Sequence, residues 1–371
     1  MNQNAALDHR RTQVMGIDIG GANLKIADGH GRSHSRPFPM WIEFERLGDV
    51  LQCLIAEFCQ QHGFELRFLA VTMTGELADC FASRRLGVQH IIDHVTRVVQ
   101  PENVRIYAVG EDWLRPDQAS RRHWDVAASN WHALATWVTR QTWFDAPAAI
   151  VLDIGSTTTD VIPVARPGVM TLARTDRDRL ENYQLVYSGV ERTPVCAIVG
   201  SLKLGGARVA VMNEVFAKTD DVYLCLDLVS ENSRDSSTAD GRPRTQEFAR
   251  ARLARMVGED SESLNHEIIN DMAHQIFSQQ AKLIAEAIEY QLEFITESTK
   301  MSPEEIQIFV SGHGDFLAQA ALARISFPIT PTTFLSEVIN GEVSRCGPAE
   351  AVAWLLERHL EKYPTQPTAS I

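Results

Sequence analysis

The chain has 371 residues, 44% of them hydrophobic and 22% charged, enough for two ordinary cores. Its 48 acidic and 35 basic residues give a formal net charge of −13, which excludes a surface built for nucleic acid or an anionic membrane. Six cysteines without a CxxC pair, a polar beginning, and no run of roughly 18 apolar residues lead us to expect a cytoplasmic chain with reduced thiols and small-molecule partners. A homo-oligomer stays open.

Gln13 to Ile19 reads as a buried strand, and "NLKIADG" and "SHSRPFPMW" as two more around the turn "DGHGR". Leu51, Leu54, Ile55 and Phe58 have helical spacing within a segment that ends on Gly63. "LRFLAVTMTG" and "VRIYAVG" follow as strands, and one helix is expected between Asp117 and Trp143, carrying Trp124, Trp131 and Trp137. "VLDIGSTTTDVIPV" (Val151 to Val164) then repeats the opening device of "VMGIDIGGANLKIADG" (Val14 to Gly29).

This order predicts two α/β halves facing each other across a cleft, residues 12–145 and 146–346. The second half holds a flexible polar loop at 230–245, a long helix from about 265 to 296, and a glycine turn at 310–314. A C-terminal helix, 347–363, is expected across both lobes, with a tail at 364–371.

A strand ending in Asp-x-Gly places a carboxylate at the mouth of a sheet, beside backbone N–H groups that form an anion nest. Two such turns in one chain point to phosphate and Mg²⁺. Asp18 and Asp153 are the expected metal ligands. Gly20, Gly21, Asn23, Lys25, Gly155, Ser156, Thr157 and Thr158 are the expected phosphate contacts, Lys25 being equally readable as a surface strand residue. The turn Gly312-His313-Gly314 would let a ligand approach the backbone closely; Asp315 after it reads equally as a helix cap. His90 and His94, one helical turn apart beside Asp93, lack a third metal ligand and read as structural.

At "DIGGANLK", "TMTGELADCF", "ASNW", "DIGSTTTD", "YSGVERTPVCA", "STADGRPRT…RLARM" and "VSGHGDFLA", spanning residues 16 to 317, the chain resembles the actin/Hsp70/sugar-kinase superfamily. Within it, the similarity is to the hydantoinase/oxoprolinase-related branch and its enzymes of methanofuran biosynthesis, linked to tetrahydromethanopterin-dependent one-carbon metabolism. The resemblance implies two ribonuclease-H-like (actin-like ATPase) lobes. It also implies a transferase in which the phenol of γ-glutamyltyramine displaces diphosphate from an aminomethyl-furylmethyl diphosphate. An ATP-dependent kinase or an oxoprolinase-like hydrolase of the same fold is the alternative, with a non-catalytic nucleotide switch after it; ATP is a ligand only in those readings. Leu24 stands where relatives often carry a hydroxyl, removing one donor from loop one.

For the implied reaction, Asp160 and Glu76 are candidate general bases, although each also reads as a capping carboxylate. Arg192 and Arg242 are candidate forks for a substrate carboxylate, with the polar loop as a lid. Thr74 and Asn130 complete the expected substrate contacts, Asn130 because it falls inside an apparent helix. The tryptophans around it read as core in preference to a furan cage.

Overall fold

Gly16 and Gly29 show how the first half is assembled. A Cβ on Gly16 would lie 1.9 Å from the carbonyl oxygen of Ala349, and one on Gly29 2.9 Å from the Trp354 nitrogen, so a helix rests directly on the first hairpin. The computed structural model describes residues 13–166, 168–327 and 331–363. They fall into two compact units: Met1–Pro147 with Val164–Arg179 and Leu335–Ile371, and Ala148–Pro163 with Leu180–Phe334.

In the first unit β1 (Val14–Ile19), β2 (Asn23–Ala27) and β3 (Ser33–Pro37) lead into α1 (Met40–Glu43) and α2 (Leu47–His62). β4 (Phe68–Met73), α3 (Arg84–Val98), β5 (Val104–Ala108) and β6 (Asp112–Leu114) complete a sheet of order β3-β2-β1-β4-β5-β6. β1 to β3 pair antiparallel, while β4 and β5 continue parallel to β1. Ile17, Ile19, Leu69, Val71 and Ile106 fill the core against Leu51, Leu54, Phe58, Val88 and Ile91 of α2 and α3.

The expected helix at 117–143 is three: α4 (Pro116–Arg121), α5 (His123–Val126) and α6 (Asn130–Thr139). Ala128 takes φ 47°, which an L-residue does not hold inside a right-handed helix, so the chain turns there. Trp131 and Trp137 are buried, whereas Trp124 is 54% exposed.

The second unit is built around β7 (Ala148–Ile154) and β8 (Thr159–Ala165), adjacent strands joined by four residues and therefore a hairpin. β9 (Gly168–Val169) and α7 (Asp176–Glu181) precede β10 (Leu185–Val186), and β11 (Ser201–Leu204) and β12 (Ala207–Ala210) form a separate ribbon. α8 (Thr219–Cys225), α9 (Gln246–Arg255), α10 (His266–Thr299), β13 (Gln307–Gly312), α11 (Asp315–Leu322) and β14 (Thr332–Phe334) follow. The sheet order β10-β8-β7-β13-β14, with β13 and β14 parallel to β7, repeats the order of the first unit. Both units thus have the ribonuclease-H-like strand arrangement that the resemblance implied.

α12 (Leu335–Val338), α13 (Gly341–Arg345) and α14 (Gly347–Lys362) return to the first unit. α14 packs on β1, β2, β4 and α6, where sequence reading expected it across both lobes. Segments 164–179 and 335–346, expected in the second domain, group with the first, to which Arg84–Asp176 (2.6 Å) and the packing of α13 on β3 tie them. The expected tail, 364–371, lies outside the described residues.

Candidate active site

Loop one closes on itself. The Gly20 N–H donates to the Asn23 carbonyl (3.0 Å), and a Cβ on Gly20 would stand 2.8 Å from that oxygen. The loop is braced by Thr74 N–H on the Ile19 carbonyl (3.0 Å) and Met40 N–H on the Gly21 carbonyl (3.0 Å). Asp18, 4% exposed, is paired in register with Lys25 on β2 and Thr72 on β4, so the three side chains share one face of the sheet. Lys25 is therefore the cross-strand neighbour of the expected metal ligand. Leu24 is wholly buried opposite Ile19; a hydroxyl at that position would point into the core.

The phrases quoted from the first half meet around this loop. Gly75 is so close that a Cβ would touch the Gly20 oxygen at 2.9 Å. Thr72 Oγ1 lies 3.0 Å from Ser129 Oγ, which donates to the Tyr107 carbonyl (3.0 Å). Asn130 follows as the first residue of α6, where Asn is well tolerated, and not as the helix-interior residue expected from sequence.

Glu76 is 1% exposed, beneath α3, where a Cβ on Gly87 would lie 2.2 Å from the Glu76 carbonyl. Neither carboxyl oxygen accepts from a side chain, and the nearest cation is Arg84 at 3.9 Å, itself paired with Asp176 (2.6 Å). Burial pushes the Glu76 carboxyl up to about 8, against the pull of Arg84. That direction favours the protonated acid.

Loop two closes in the same way, with Gly155 N–H on the Thr158 carbonyl (2.9 Å). Ser156, Thr157 and Thr158 are half-buried, and the N–H groups of Thr157 and Thr158 donate to no described residue. Asp153 lies two residues before the loop, in register with the buried Ser311 on β13. Asp160, 5% exposed, is one residue into β8, in register with Leu185.

The segment Ser188–Pro194 wraps this loop. Val190 N–H donates to the Gly155 carbonyl (3.0 Å), and those of Glu191 and Arg192 to the Ser156 carbonyl (2.9 and 3.1 Å). A Cβ on Gly189 would lie 2.5 Å from the Gly155 oxygen, so only glycine lets the two segments approach. Gln280, buried in α10, fixes the wrap by donating to Ser188 Oγ and the Gly189 carbonyl, each at 2.9 Å.

The glycine turn abuts the same strand end. Gly312 has φ 95°, and a Cβ there would meet the Ile154 oxygen at 2.2 Å; one on Gly314 would meet Ile154 Cγ2 at 2.4 Å. Packing against β7 therefore accounts for both glycines. His313 donates its N–H to Ile154 (3.1 Å), and its Nε2 lies 3.3 Å from a Glu191 oxygen.

Residues 230–245 are a pinned loop and not the flexible one expected. Arg244 grips Asp220 (2.6 and 2.7 Å), and the fully buried Arg252 joins Asp221 (2.7 Å) to Asp240 (3.1 Å). Although burial opposes it, hydrogen bonds from Arg242 and the charge of Arg252 hold the Asp240 carboxyl at about 2. Arg242 is thereby committed to Asp240 (2.6 and 2.7 Å), over the ring of Phe248. Arg192 stands beside loop two itself.

Sequence reading missed Arg84, Asp176, Lys218, Asp220, Asp221, Arg252 and Gln280. Of these only "KTDD" (Lys218–Asp221) is a visible charged run; the others sit in helical patterns whose partners are distant in sequence. His90 bonds the Phe44 carbonyl (2.9 Å) and His94 accepts from Gly48 N–H (2.9 Å), so both are structural.

Among the described residues no group of three or more His, Cys, Asp or Glu side chains could hold a metal. Mg²⁺ is compatible with that, because it binds through one or two carboxylates together with waters and substrate phosphates. Asp18 and Asp153, at two hydroxyl- and amide-lined loops, have the hard oxygen chemistry it requires. No helix of the described residues is long and apolar enough to cross a membrane.

Comparison with known proteins gives relatives over nearly the whole chain. A (4-{4-[2-(gamma-L-glutamylamino)ethyl]phenoxymethyl}furan-2-yl)methanamine synthase of Methanocaldococcus jannaschii is 32% identical over 355 residues, covering 95% of this chain and 100% of its own. A synthase of the same name from Methanococcus vannielii is 28% identical over 215 residues, 57% of this chain and 91% of its own. Among solved structures, the chain is similar to a polyphosphate/ATP-glucomannokinase from Arthrobacter sp. strain KM (TM-score 0.42, 11% identity, 92% and 98% of the two chains). It is also similar to MreB5 of Spiroplasma citri bound to ADP (TM-score 0.45, 11% identity, 94% and 98%). The hydantoinase/oxoprolinase family profile matches residues 67–340. The chain belongs to the hydantoinase/oxoprolinase family, in the branch that contains these furan-methanamine synthases.

Proposed function

We propose that the protein is a transferase that joins γ-glutamyltyramine to an aminomethyl-furylmethyl diphosphate in the assembly of a methanofuran-type cofactor. The observation that carries this reading is the 32% identity, across 95% of the chain, to a synthase whose named product contains the phenoxymethyl-furan linkage. The paired loops fit it, since both present Asp-x-Gly strand ends and small polar turns suited to a diphosphate.

In the step, the phenol oxygen attacks the furylmethyl carbon and the carbon–oxygen bond to diphosphate breaks. The bond pair leaves with diphosphate, and the phenolic proton passes to a carboxylate. Asp18 and Asp153 would hold Mg²⁺, which when bound neutralises charge developing on the leaving group. Gly20, Gly21, Asn23 and Lys25 of loop one, Gly155 to Thr158 of loop two, and the Gly312–Gly314 turn are the proposed phosphate contacts. Arg192 takes the acceptor's carboxylate, with Thr74 and Asn130 lining the substrate; Arg242 acts through Asp240 to hold the polar loop in place.

The base is Asp160, or Glu76 once it ionises near pH 8. The pH–rate profile separates them: the limb that vanishes in Asp160→Asn or in Glu76→Gln names the base, and a limb unchanged in both removes the pair. Asp18→Asn and Asp153→Asn should each lower diphosphate release by about a hundredfold or more. A loss within about twofold in either would take that residue out of the metal site.

A further inference from the structure

Lys218 is placed by backbone pairing with the wrap around loop two. Val195 N–H donates to the Ala217 carbonyl (3.0 Å), Thr219 N–H to the Thr193 carbonyl (2.9 Å), and Pro194 and Lys218 form an antiparallel bridge. Two residues before Pro194 is Arg192, whose own N–H rests on loop two at Ser156. The Lys218 N–H is fixed in turn by the Asp221 carboxylate (2.9 Å).

Its side chain is treated differently from the aspartates at 220 and 221. Asp220 is gripped by Arg244, and Asp221 by Arg252. Lys218 is half-buried, and its ammonium has no carboxylate within 4.0 Å and no hydrogen bond among the described residues. Burial lowers its pKa, and the charge of Arg192 lowers it further against the pull of Asp221. A partly desolvated ammonium with no carboxylate against it is costly unless an anion joins it. The Thr157 and Thr158 N–H groups of the loop that the Ser188–Pro194 segment wraps, without described partners, are further donors for such an anion.

We propose that Lys218 is a phosphate-binding residue at loop two, which together with the Thr157 and Thr158 N–H groups receives the diphosphoryl group. This rests on the transferase reading for its natural ligand, but the site is defined by phosphate chemistry and can be probed without turnover. Inorganic diphosphate is titrated calorimetrically, with Mg²⁺, into the full chain carrying Lys, Met, Gln or Arg at position 218. Turnover and the KM for γ-glutamyltyramine are measured in parallel.

Lys218→Met and Lys218→Gln should weaken diphosphate binding by about tenfold to a hundredfold, and Lys218→Arg should recover it to within about threefold. Thermal midpoints of the variants establish that they are folded. Equal affinity in Lys218→Met and the parent, or no diphosphate binding by the parent, would overturn the proposal. So would a raised KM for γ-glutamyltyramine with diphosphate binding intact, since Lys218 would then serve a carboxylate. Lysine-dependent diphosphate binding without transfer from the furylmethyl donor would sink the transferase reading and leave the site standing. Transfer with lysine-independent binding would do the reverse.

Discussion

Replacing Glu76 by Gln tests the buried acid directly. The carboxyl moves from an ordinary 4.5 to about 8 on folding, because it is desolvated with Arg84 no nearer than 3.9 Å. Between those values the folded chain binds a proton that the unfolded chain has lost, so stability falls as pH rises through the window. The penalty is about 3 kcal/mol at pH 7 and about 5 kcal/mol above pH 8, at about 1.4 kcal/mol per pH unit. Gln keeps the shape and removes the titration, at the cost of an amide in the same buried site; that cost is independent of pH. The informative quantity is therefore the slope of the stability difference between variant and parent, from urea unfolding at pH 5, 6, 7 and 8. Other raised acids, such as Glu350 at about 7, cancel in the difference. The variant should gain on the parent by about one proton's worth of free energy per pH unit from pH 5 to pH 7. A difference flat across that range would refute the claim that Glu76 is neutral in the folded state.

Gly312→Ala should destabilise the second unit by several kcal/mol, because its Cβ meets the Ile154 oxygen at 2.2 Å with φ at 95°. Gly200→Ala, with nothing within 4 Å, is the control, and should shift the denaturation midpoint little. Arg252→Leu leaves Asp221 without its ion pair and should cost about 3–5 kcal/mol. It should also release the 230–245 loop, read as lost hydrogen-exchange protection there; retained protection would mean that Arg244–Asp220 holds the loop alone. Gly189→Ala should cut diphosphate release by driving the wrap off loop two, and unchanged turnover would separate the wrap from catalysis.

The two strand ends were legible because a buried apolar run, an aspartate and a glycine turn are all local in sequence. The duplicate closure, Gly20 on Asn23 and Gly155 on Thr158, follows from that local pattern. What failed was long-range or conformational. Tryptophan spacing suggested one helix where Ala128 takes a positive φ, and Asn130 was consequently read in a helix interior. The polarity of 230–245 suggested mobility, but Arg252 and Arg244 reach it from α9 and from its own end. At the 310–314 turn the need for glycine is set by packing on the side and main chain of Ile154, a contact distant in sequence. Lys218 was invisible because what marks it is which of its neighbours' charges are already paired.

The most direct test of the transferase reading is diphosphate release from the furylmethyl diphosphate with Mg²⁺, with and without γ-glutamyltyramine, and with ATP alone in parallel. The account predicts acceptor-dependent diphosphate, an ether product of matching mass, and an inert ATP control. Phosphate released from ATP, with no acceptor-dependent turnover of the furan, would contradict it.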